Sequence, residues 1–435
     1  MKLTARIAWR SLAVAALALT VLTLRGSGPI AQELKLPSLR SLSVRPLRDP
    51  LAPPVVNLAV PGDVVRITFD ELADDHRYLR YSLEHCDATW RPEGLVDSEF
   101  MDSFNEENID DYAHSQATVV GYVNYAFTVP GPGMRLTEPG NYLVKVWDER
   151  DPDTLLATAH IGVCDYTVPV SAEVSAVTDI DARDSHQQLS LRLDTRHLDL
   201  ADPYTDLKIV VTQNERPDMT RIITTPSRRV GQKLIYDHQR DLIFPAGNEY
   251  RRFDMASVDY PGLGVESINH ETPVYNVTLS PDSPRKDENY LYDSTQHGAF
   301  VTRTIEADAD GDHDTRADYA LTLFTLYMPR LSGADVYIEG DLTGRRYSPT
   351  SRMVYNYDES RYELPLLLKQ GAYNYQYVVL PDGSPSSTGL TAPVEGDKWE
   401  TANRYTVRVY HRQRGSRFDR LVGFAVIGPT STLNR

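Results

Sequence analysis

The chain has 435 residues, more than one ordinary hydrophobic core can organise, so we expect two to four domains. Hydrophobic residues make up 41% of the sequence, which is enough for globular packing and excludes wholesale disorder. The formal net charge of −16 argues against nucleic-acid binding, because phosphate recognition needs clustered lysine and arginine, and it disfavours direct docking onto anionic lipid.

The N-terminal segment carries the features of an export signal. Lys2, Arg6 and Arg10 supply a basic start, residues 11–24 form an apolar run, and small residues follow. The apolar run is shorter than the roughly 20 residues that a membrane-spanning helix needs. We therefore predict a signal peptide over 1–31 and an exported, soluble mature protein, with an uncleaved anchor as the alternative.

Residues 79–90 give the clearest local pattern in the chain. Leu79, Tyr81 and Leu83 alternate with polar residues, at the two-residue period of a strand that has one buried face and one wet face. We predict a central strand here, with the ring of Trp90 packed at its end and with no catalytic role.

Further extended segments follow one another with short turns between them, and no stretch keeps a helical period over three turns. Segment 280–288 is rich in Ser, Pro, Asp and Lys, which is typical of a linker or long loop. The sequence therefore predicts an all-β protein. The predicted strands cover residues 55–60, 64–69, 119–129, 142–147, 155–163, 171–177, 188–193, 207–212, 222–224, 233–236, 274–279, 299–305, 319–327, 335–339, 351–357, 362–368, 373–380 and, as the final strand, 405–411.

The chain has two cysteines, Cys86 and Cys164, and an exported protein can join such a pair in a disulfide. Strand alternation places Cys86 on the same face as Arg80 and Glu84 unless a bulge intervenes. Two separate thiols and one disulfide are therefore both open from the sequence.

A glycine followed two or three residues later by a tyrosine recurs at three predicted strand starts, at Gly140, Gly247 and Gly371. Immunoglobulin-like sandwiches have about 100 residues, and many fix a corner with a tyrosine whose hydroxyl bonds to the backbone. An ordinary turn glycine explains any single case, but the recurrence at domain-sized intervals favours three sandwiches in a row. We predict tandem immunoglobulin-like β-sandwich domains over 32–166, 167–285 and 286–435.

The usual signatures of catalysis and cofactor binding are missing: there is no Gly-x-x-x-x-Gly-Lys loop, Gly-x-Ser-x-Gly elbow, His-Glu-x-x-His motif or Cys-x-x-Cys pair. We predict no catalytic, cofactor-binding or metal-binding residues, no enzymatic activity and no cofactor. The alternating aspartates from Asp308 to Asp314 form the densest acidic site, but their spacing does not match an EF-hand loop. A solvated hairpin loop is favoured there, and a loose calcium site is the alternative.

Six arginines are concentrated near the C-terminus of an otherwise acidic chain. A solvated final strand and tail is the simpler explanation, and a docking patch for an acidic partner or for lipid head groups is the functional alternative. These residues are Arg404, Arg408, Arg412, Arg414, Arg417 and Arg420.

Sequence blocks in order along nearly the whole mature chain resemble the plug proteins of the bacterial type IX secretion system, most clearly Tyr81-Ser-Leu-Glu-His-Cys-Asp-Ala-Thr-Trp90. The resemblance implies a periplasmic protein at the inner face of the outer membrane that binds the large translocon barrel and closes its periplasmic opening. It implies no small-molecule substrate, and contact with the membrane only through that partner. The matching blocks are residues 69–72, 81–90, 99–104, 111–112, 122–130, 140–142, 211–214, 246–254, 366–378, 401–405 and 417–423.

The last predicted domain also resembles the β-sandwich of glycogen-binding modules, through residues 336–341, Met353 and 366–378. Such modules usually carry a tryptophan shortly after the Gly-Asp pair, whereas residues 342–346 contain no aromatic residue. We therefore expect the fold of such a module and discount its sugar site. An exported carbohydrate-binding β-sandwich protein is the second functional hypothesis, and a glycan hydrolase is the third.

Overall fold

The computed structural model describes residues 32–180, 183–271, 273–307, 312–383 and 388–428, without the side chain of Glu271. The signal peptide predicted over 1–31 lies outside these residues. Strands make up 46% of the structure and helices 4%, so the predicted all-β class with tandem sandwiches is confirmed. Among the described residues, no helix has the length and apolar content needed to cross a membrane.

The helical turns are short, so the sheets carry the fold. They are the 3-10 helices Asp97–Glu99, Pro217–Met219, Arg240–Leu242 and Asp341–Thr343 and one α-helix, α1 (His313–Arg316). The strands are β1 (Glu33–Leu34), β2 (Leu39–Pro46), β3 (Val55–Asn57), β4 (Val65–Glu71), β5 (Leu79–Cys86), β6 (Glu107–Ile109), β7 (Asp111–His114), β8 (Val123–Val129), β9 (Gly140–Asp148), β10 (Asp151–Cys164), β11 (Val170–Ser175), β12 (His186–Asp194), β13 (Leu207–Gln213), β14 (Thr220–Ile223), β15 (Arg228–Val230), β16 (Lys233–Tyr236), β17 (Ile243–Pro245), β18 (Arg251–Asp254), β19 (Val265–Glu271), β20 (Val274–Leu279), β21 (Phe300–Thr302), β22 (Tyr319–Leu326), β23 (Ala334–Glu339), β24 (Val354–Asn356), β25 (Arg361–Lys369), β26 (Gly371–Pro381), β27 (Tyr405–His411) and β28 (Arg420–Ile427).

The first sandwich packs two sheets, ordered β1-β10-β9-β5-β6 and β2-β4-β8-β7, around one hydrophobic core. Strand β5 lies inside its sheet, and its residues Leu79, Tyr81 and Leu83 are all buried in the core. The alternation predicted within 79–90 is therefore confirmed. The ring of Trp90 stacks on His160 of β10 with 3.9 Å between ring centroids, so its predicted packing is confirmed too.

The middle sandwich contains the sheet β11-β12-β16-β15, with β17 beside β12, and the sheet β14-β13-β27-β28. Strand β27 pairs antiparallel with β13, which places Val409 opposite Ile209 in the middle core. Strand β28 pairs with β27 and buries Val422 in the same core. The prediction of 405–411 as the final strand was therefore wrong, because the segment after it forms a further strand on the same sheet.

The third sandwich combines the sheet β19-β20-β22-β25-β24 with a sheet ordered β18-β26-β21, in which β23 also pairs with β26. Strand β26 is covered on both faces. Tyr373, Tyr375 and Tyr377 point into the third core, and the intervening Asn374 and Gln376 are also buried. A strand that is covered on both faces gives little alternation in the sequence.

The residues that form each core do not come from the continuous segments that were predicted as domains. Strands β18, β19 and β20 precede residue 285 and pack in the third core, whereas β27 and β28 return to the middle core. The chain thus leaves the middle sandwich, builds the third and comes back. Which parts fold independently stays a prediction.

Two of the three predicted tyrosine corners are confirmed. The Tyr142 hydroxyl donates a hydrogen bond of 2.6 Å to the backbone carbonyl of the residue four positions earlier. Tyr373 makes the same contact to the carbonyl four positions before it. Tyr250 does not form a corner, because its hydroxyl donates to the carboxylate of Glu339 at 2.8 Å.

The first and middle sandwiches share a small buried cluster of their own. Val55 and Cys164 from the first sandwich pack with Val210, Tyr410 and Leu421 from the middle one. The Tyr410 hydroxyl donates across this interface to the side-chain oxygen of Asn141 at 2.8 Å. Apolar packing and a satisfied polar group together fix how these two sandwiches meet.

A buried ion pair joins the first sandwich to the third. Lys369 of β25 donates to Asp70 of β4 at 2.6 Å, and only 2% and 1% of the two side chains are exposed. Tyr319 and Asn124 donate to the same carboxylate at 2.6 and 2.7 Å. The carboxylate therefore has partners from both sandwiches, as a charge removed from water requires.

The middle and third sandwiches are joined by a second buried polar group. Arg216, after β13, pairs with Asp218 at 2.6 Å and donates to the carbonyl of Gly389 at 2.9 Å. The Tyr347 hydroxyl donates to Asp218 at 2.8 Å. With all three sandwiches in mutual contact, the described residues form one compact unit.

Candidate interaction surfaces

The acidic segment considered for calcium lies only partly within the described residues, because 308–311 fall outside them. The Asp312 carboxylate accepts hydrogen bonds from the backbone N–H groups of Asp314 and Thr315, at 3.0 and 3.3 Å, and so caps α1. The Asp314 carboxylate lies 3.6 Å from Arg66. Within the described ranges, no group of three or more His, Cys, Asp and Glu side chains is arranged to hold a metal ion.

Cys86 and Cys164 are separate, buried thiols, which answers the question that the sequence left open. Burial raises the pKa of each thiol to about 12. Neither is a thiolate at neutral pH, so neither has the reactivity of a nucleophilic cysteine. Cys164 lies in the cluster between the first and middle sandwiches, where it acts as a small packing residue.

The arginines near the C-terminus do not form a free basic patch. Arg408 pairs with Glu215 at 2.9 Å, and Arg412 pairs with Asp419 at 2.6 Å. Both predicted explanations, the solvated tail and the docking patch, are therefore wrong for most of the cluster, and Arg414 and Arg417 are the exposed exceptions. Arg404, Arg417 and Arg420 contact Leu51, Glu99 and Asp165 of the first sandwich.

The segment compared with the sugar site of glycogen-binding modules holds a buried ion-pair network. Arg345 pairs with Glu339 at 3.0 Å and with Asp341 at 2.6 Å, and 8% of its side chain is exposed. Arg345 also donates to the carbonyl of Asn214 in the middle sandwich at 2.9 Å. These residues hold two sandwiches together and offer no stacking platform for a sugar ring.

A cavity of about 60 Å³ lies where the middle and third sandwiches meet. Its lining mixes amide side chains with small residues and includes Gln213, Asn248, Gln376 and Asn403. Ligand sites usually enclose 300–1,000 Å³, whereas a volume of this size holds only a few water molecules. The cavity is therefore suited to buried water and not to an organic substrate.

A tyrosine–arginine patch lies on the third sandwich next to the edge strand β24. Tyr327 and Tyr357 are 44% and 69% exposed. The Arg361 guanidinium lies 5.5 Å from the Tyr327 ring centroid, and that of Arg330 lies 5.7 Å from the Tyr357 centroid. Tyrosine and arginine are enriched among residues that dominate binding energy, so this patch is a candidate contact surface.

A histidine–tyrosine patch lies on the first sandwich beside the edge strand β7. The His76 ring stacks on Tyr112 with 4.2 Å between centroids, and Tyr78 packs edge-on at 5.0 Å. The Arg150 guanidinium lies over the ring of Tyr78, 5.6 Å from its centroid. The sequence could not reveal either patch, because tyrosines are frequent and the buried ones follow the same strand pattern.

Comparison with known proteins gave a family match within the first sandwich and a structural match over nearly the whole chain. Residues 39–165 match the family model of the type 9 secretion system plug protein 1st domain. A crystal structure of a hypothetical protein from Parabacteroides merdae ATCC 43184 shares 37% identity, with a TM-score of 0.88. That alignment covers 92% of this chain and 99% of the other chain.

Two further results add no functional information. A biofilm associated protein BSP domain aligns over 94% of this chain and 62% of that chain, but with 8% identity and a TM-score of 0.19, which is too low to support an argument. No curated protein sequence matches the chain.

The fold and its exposed surfaces define the class, a tandem β-sandwich protein with exposed aromatic patches. Within that class, residues 39–165 match the first domain of the type IX secretion system plug protein, as the resemblance predicted, and the relative of 37% identity shares the fold over nearly the whole chain. The matched domain supports a role connected with this secretion system and indicates a periplasmic location associated with the secretion machinery.

Proposed function

We propose that this protein is a non-enzymatic plug, which binds the outer-membrane translocon barrel of the type IX secretion system and closes its periplasmic opening. It acts at the inner face of the outer membrane and reaches the membrane through the barrel. The observation that carries the proposal is the family match over nearly all of the first sandwich, residues 39–165.

The connections between the sandwiches support this role physically. A plug must keep its shape against the opening that it covers, and close-packed protein interiors resist compression. The Asp70–Lys369 ion pair and the Tyr410–Asn141 hydrogen bond tie the first sandwich to its two neighbours. Each tie is buried, so its breaking would leave a polar group without a partner, which costs about 1–3 kcal/mol for a neutral group.

The chemistry of the described surfaces also favours binding over catalysis. The two cysteines are buried thiols, and the cavity between the middle and third sandwiches is too small for an organic substrate. The exposed aromatic groups instead resemble the anchors of protein interfaces, which usually bury more than about 1,000 Å² in total.

The proposal is tested by tagging the full chain in its own cells and purifying it from outer-membrane extract. We expect the large translocon barrel to co-purify, and we expect in-cell cross-linking to capture the same barrel. A matched extract from cells that lack the barrel supplies the control.

Recovery of the protein without the barrel, together with measurable polysaccharide binding, would replace the plug proposal with the exported carbohydrate-binding alternative. A cleft with two facing carboxylates in a glycan complex would instead support a hydrolase.

A further inference from the structure

The long loop between β20 and β21 exposes two large apolar side chains at its tip. Leu291 is 81% exposed and Tyr292 is 62% exposed, although the loop around them is otherwise polar. We call residues 285–296 the anchored loop, because its flanks are fixed to the third sandwich. It overlaps segment 280–288, which was predicted to be a linker or a long loop and is a long loop here.

The first flank is held by a buried carboxylate. Arg285 pairs with Glu395 at 2.7 Å, and the Glu395 side chain has no solvent exposure. Arg285 also donates to the backbone carbonyl of Glu249 at 2.7 Å. Gly396 lets the loop backbone approach closely, because a Cβ at that position would lie 2.9 Å from the Cα of Lys286.

The tip itself is fixed on both sides. The Tyr290 hydroxyl donates to the Glu249 carboxylate at 2.7 Å, immediately before Leu291. Asp293 pairs with Arg252 of β18 at 2.9 Å, immediately after Tyr292. The backbone N–H of Gln296 then donates to the Asn374 side chain. Leu291 and Tyr292 therefore lie between two held residues.

Because the loop is already held in place, it should lose little conformational freedom when it binds a partner. Ordering a flexible loop on association costs about 0.5–1.5 kcal/mol for each immobilised side chain, and a loop that is already held avoids much of that cost. Aromatic and aliphatic anchors that fill a pocket on the partner carry most of the energy of typical interfaces. The anchored loop thus presents its two apolar residues in a form that is ready to bind.

The charges near the tip indicate the kind of pocket that fits it. Asp287 and Glu288 are exposed in the loop beside the exposed Lys286, whereas Arg285 is paired with Glu395 and Asp293 with Arg252. Two more carboxylates lie close by. Alongside burial, the negative charge of Glu400 helps to raise the pKa of the Tyr290 hydroxyl, and that of Asp293 helps to raise the pKa of Glu249. An apolar tip with this slight excess of negative charge beside it is complementary to an apolar pocket with a basic rim.

We propose that Leu291 and Tyr292 form an anchor that inserts into an apolar pocket with a basic rim on the periplasmic side of the translocon barrel. This inference deepens the proposed function and rests on it. It assigns one contact of the plug to one loop of the third sandwich.

The test measures the affinity of the full chain for the purified translocon barrel in detergent. The variant is Leu291→Ser combined with Tyr292→Ser, which removes the apolar tip without changing charge. The control is Leu263→Ser combined with Tyr260→Ser, a second exposed pair at 54% and 72% exposure on another loop. Melting temperature is measured for both, and neither should change, because all four side chains are exposed.

We expect the tip variant to bind at least tenfold more weakly and the control to bind like the unaltered protein. We also expect the association rate of the unaltered protein to fall as salt is raised, because opposite charges steer the encounter. Equal affinity of the tip variant and the unaltered protein would refute the anchor and leave the plug function intact. Equal weakening in both variants would refute it too, and no binding by the unaltered protein would refute the plug function itself.

Discussion

At the scale of single residues, His160 makes the stability of the first sandwich depend on pH. Its ring stacks on Trp90, and its Nε2 atom is buried without a hydrogen-bond partner. Burial, together with the nearby charges of Arg346 and Arg408, lowers the pKa of His160 to about 3. In the unfolded chain the pKa of histidine is about 6.5, so below that pH the unfolded state binds the proton more readily.

We therefore predict that the free energy of unfolding falls as pH drops from 7 to 5.5. His160 alone should contribute a loss of about 1 kcal/mol over this interval. Replacing His160 with Phe keeps a ring on Trp90 and removes the titration, so the variant should lose less stability. Urea unfolding at the two pH values measures the difference.

His238 supplies the control for this prediction. It is an exposed histidine beside Asp179, at 3.0 Å, and away from Trp90. His238→Gln should leave the contribution of His160 unchanged. The same loss of stability with falling pH in the His160→Phe variant as in the unaltered chain would contradict the assignment.

At the scale of strands, the sequence reveals some elements because their alternation survives in the fold. Strands β16, β20 and β27 have the bounds that alternation predicts. Strand β28 was missed, since its segment follows a run of arginines and contains Gly423. The reason for this glycine is tertiary: a Cβ there would lie 2.7 Å from the carbonyl oxygen of Val168.

The exposed contact residues were harder to predict than the strands, for a related reason. Tyr373, Tyr375 and Tyr377 alternate along β26 and are all buried, whereas Tyr357 near β24 is exposed. Residue type and strand parity are similar in these segments, and only the packing of the sheets distinguishes them. The sequence also could not show that the anchored loop is held in place, because Arg285 pairs with Glu395, which is 110 positions further along the chain.

The return of β27 and β28 to the middle sandwich leads to a prediction about folding. A chain that ends at residue 404 lacks the strand that pairs with β13, and it loses Val409 and Val422 from the middle core. Each lost apolar side chain contributes about 1.5–3 kcal/mol of burial. We expect hydrogen exchange to show loss of protection in β12 and β13 of this truncated chain.

The third sandwich provides the internal comparison in the same experiment. Its strand β22 pairs with β20 and β25, and neither is removed by the truncation. Protection in β22 should therefore persist. Retained protection of β13 would show that the middle sandwich folds without its last two strands, and it would support the predicted boundary before residue 286.

At the scale of the whole molecule, the buried pair of Asp70 and Lys369 couples the first sandwich to the third. Removing one partner of such a pair leaves an uncompensated buried charge, which typically costs 3–5 kcal/mol. Lys369→Met should therefore lower the free energy of unfolding by about that amount. We expect the first sandwich to unfold before the third in this variant, as followed by hydrogen exchange in β4 and β22.

Two further variants separate coupling from a general loss of stability. Lys145→Met breaks a pair with Glu84 inside one sheet, at 2.7 Å, where 35% and 33% of the side chains are exposed, so it should cost no more than about 1 kcal/mol. Asp70→Asn combined with Lys369→Met removes both charges and should recover part of the loss. If Lys369→Met leaves β4 and β22 unfolding together, the ion pair does not couple the sandwiches. If they separate, the rigidity that a plug needs depends on a few buried polar contacts between sandwiches that are individually stable.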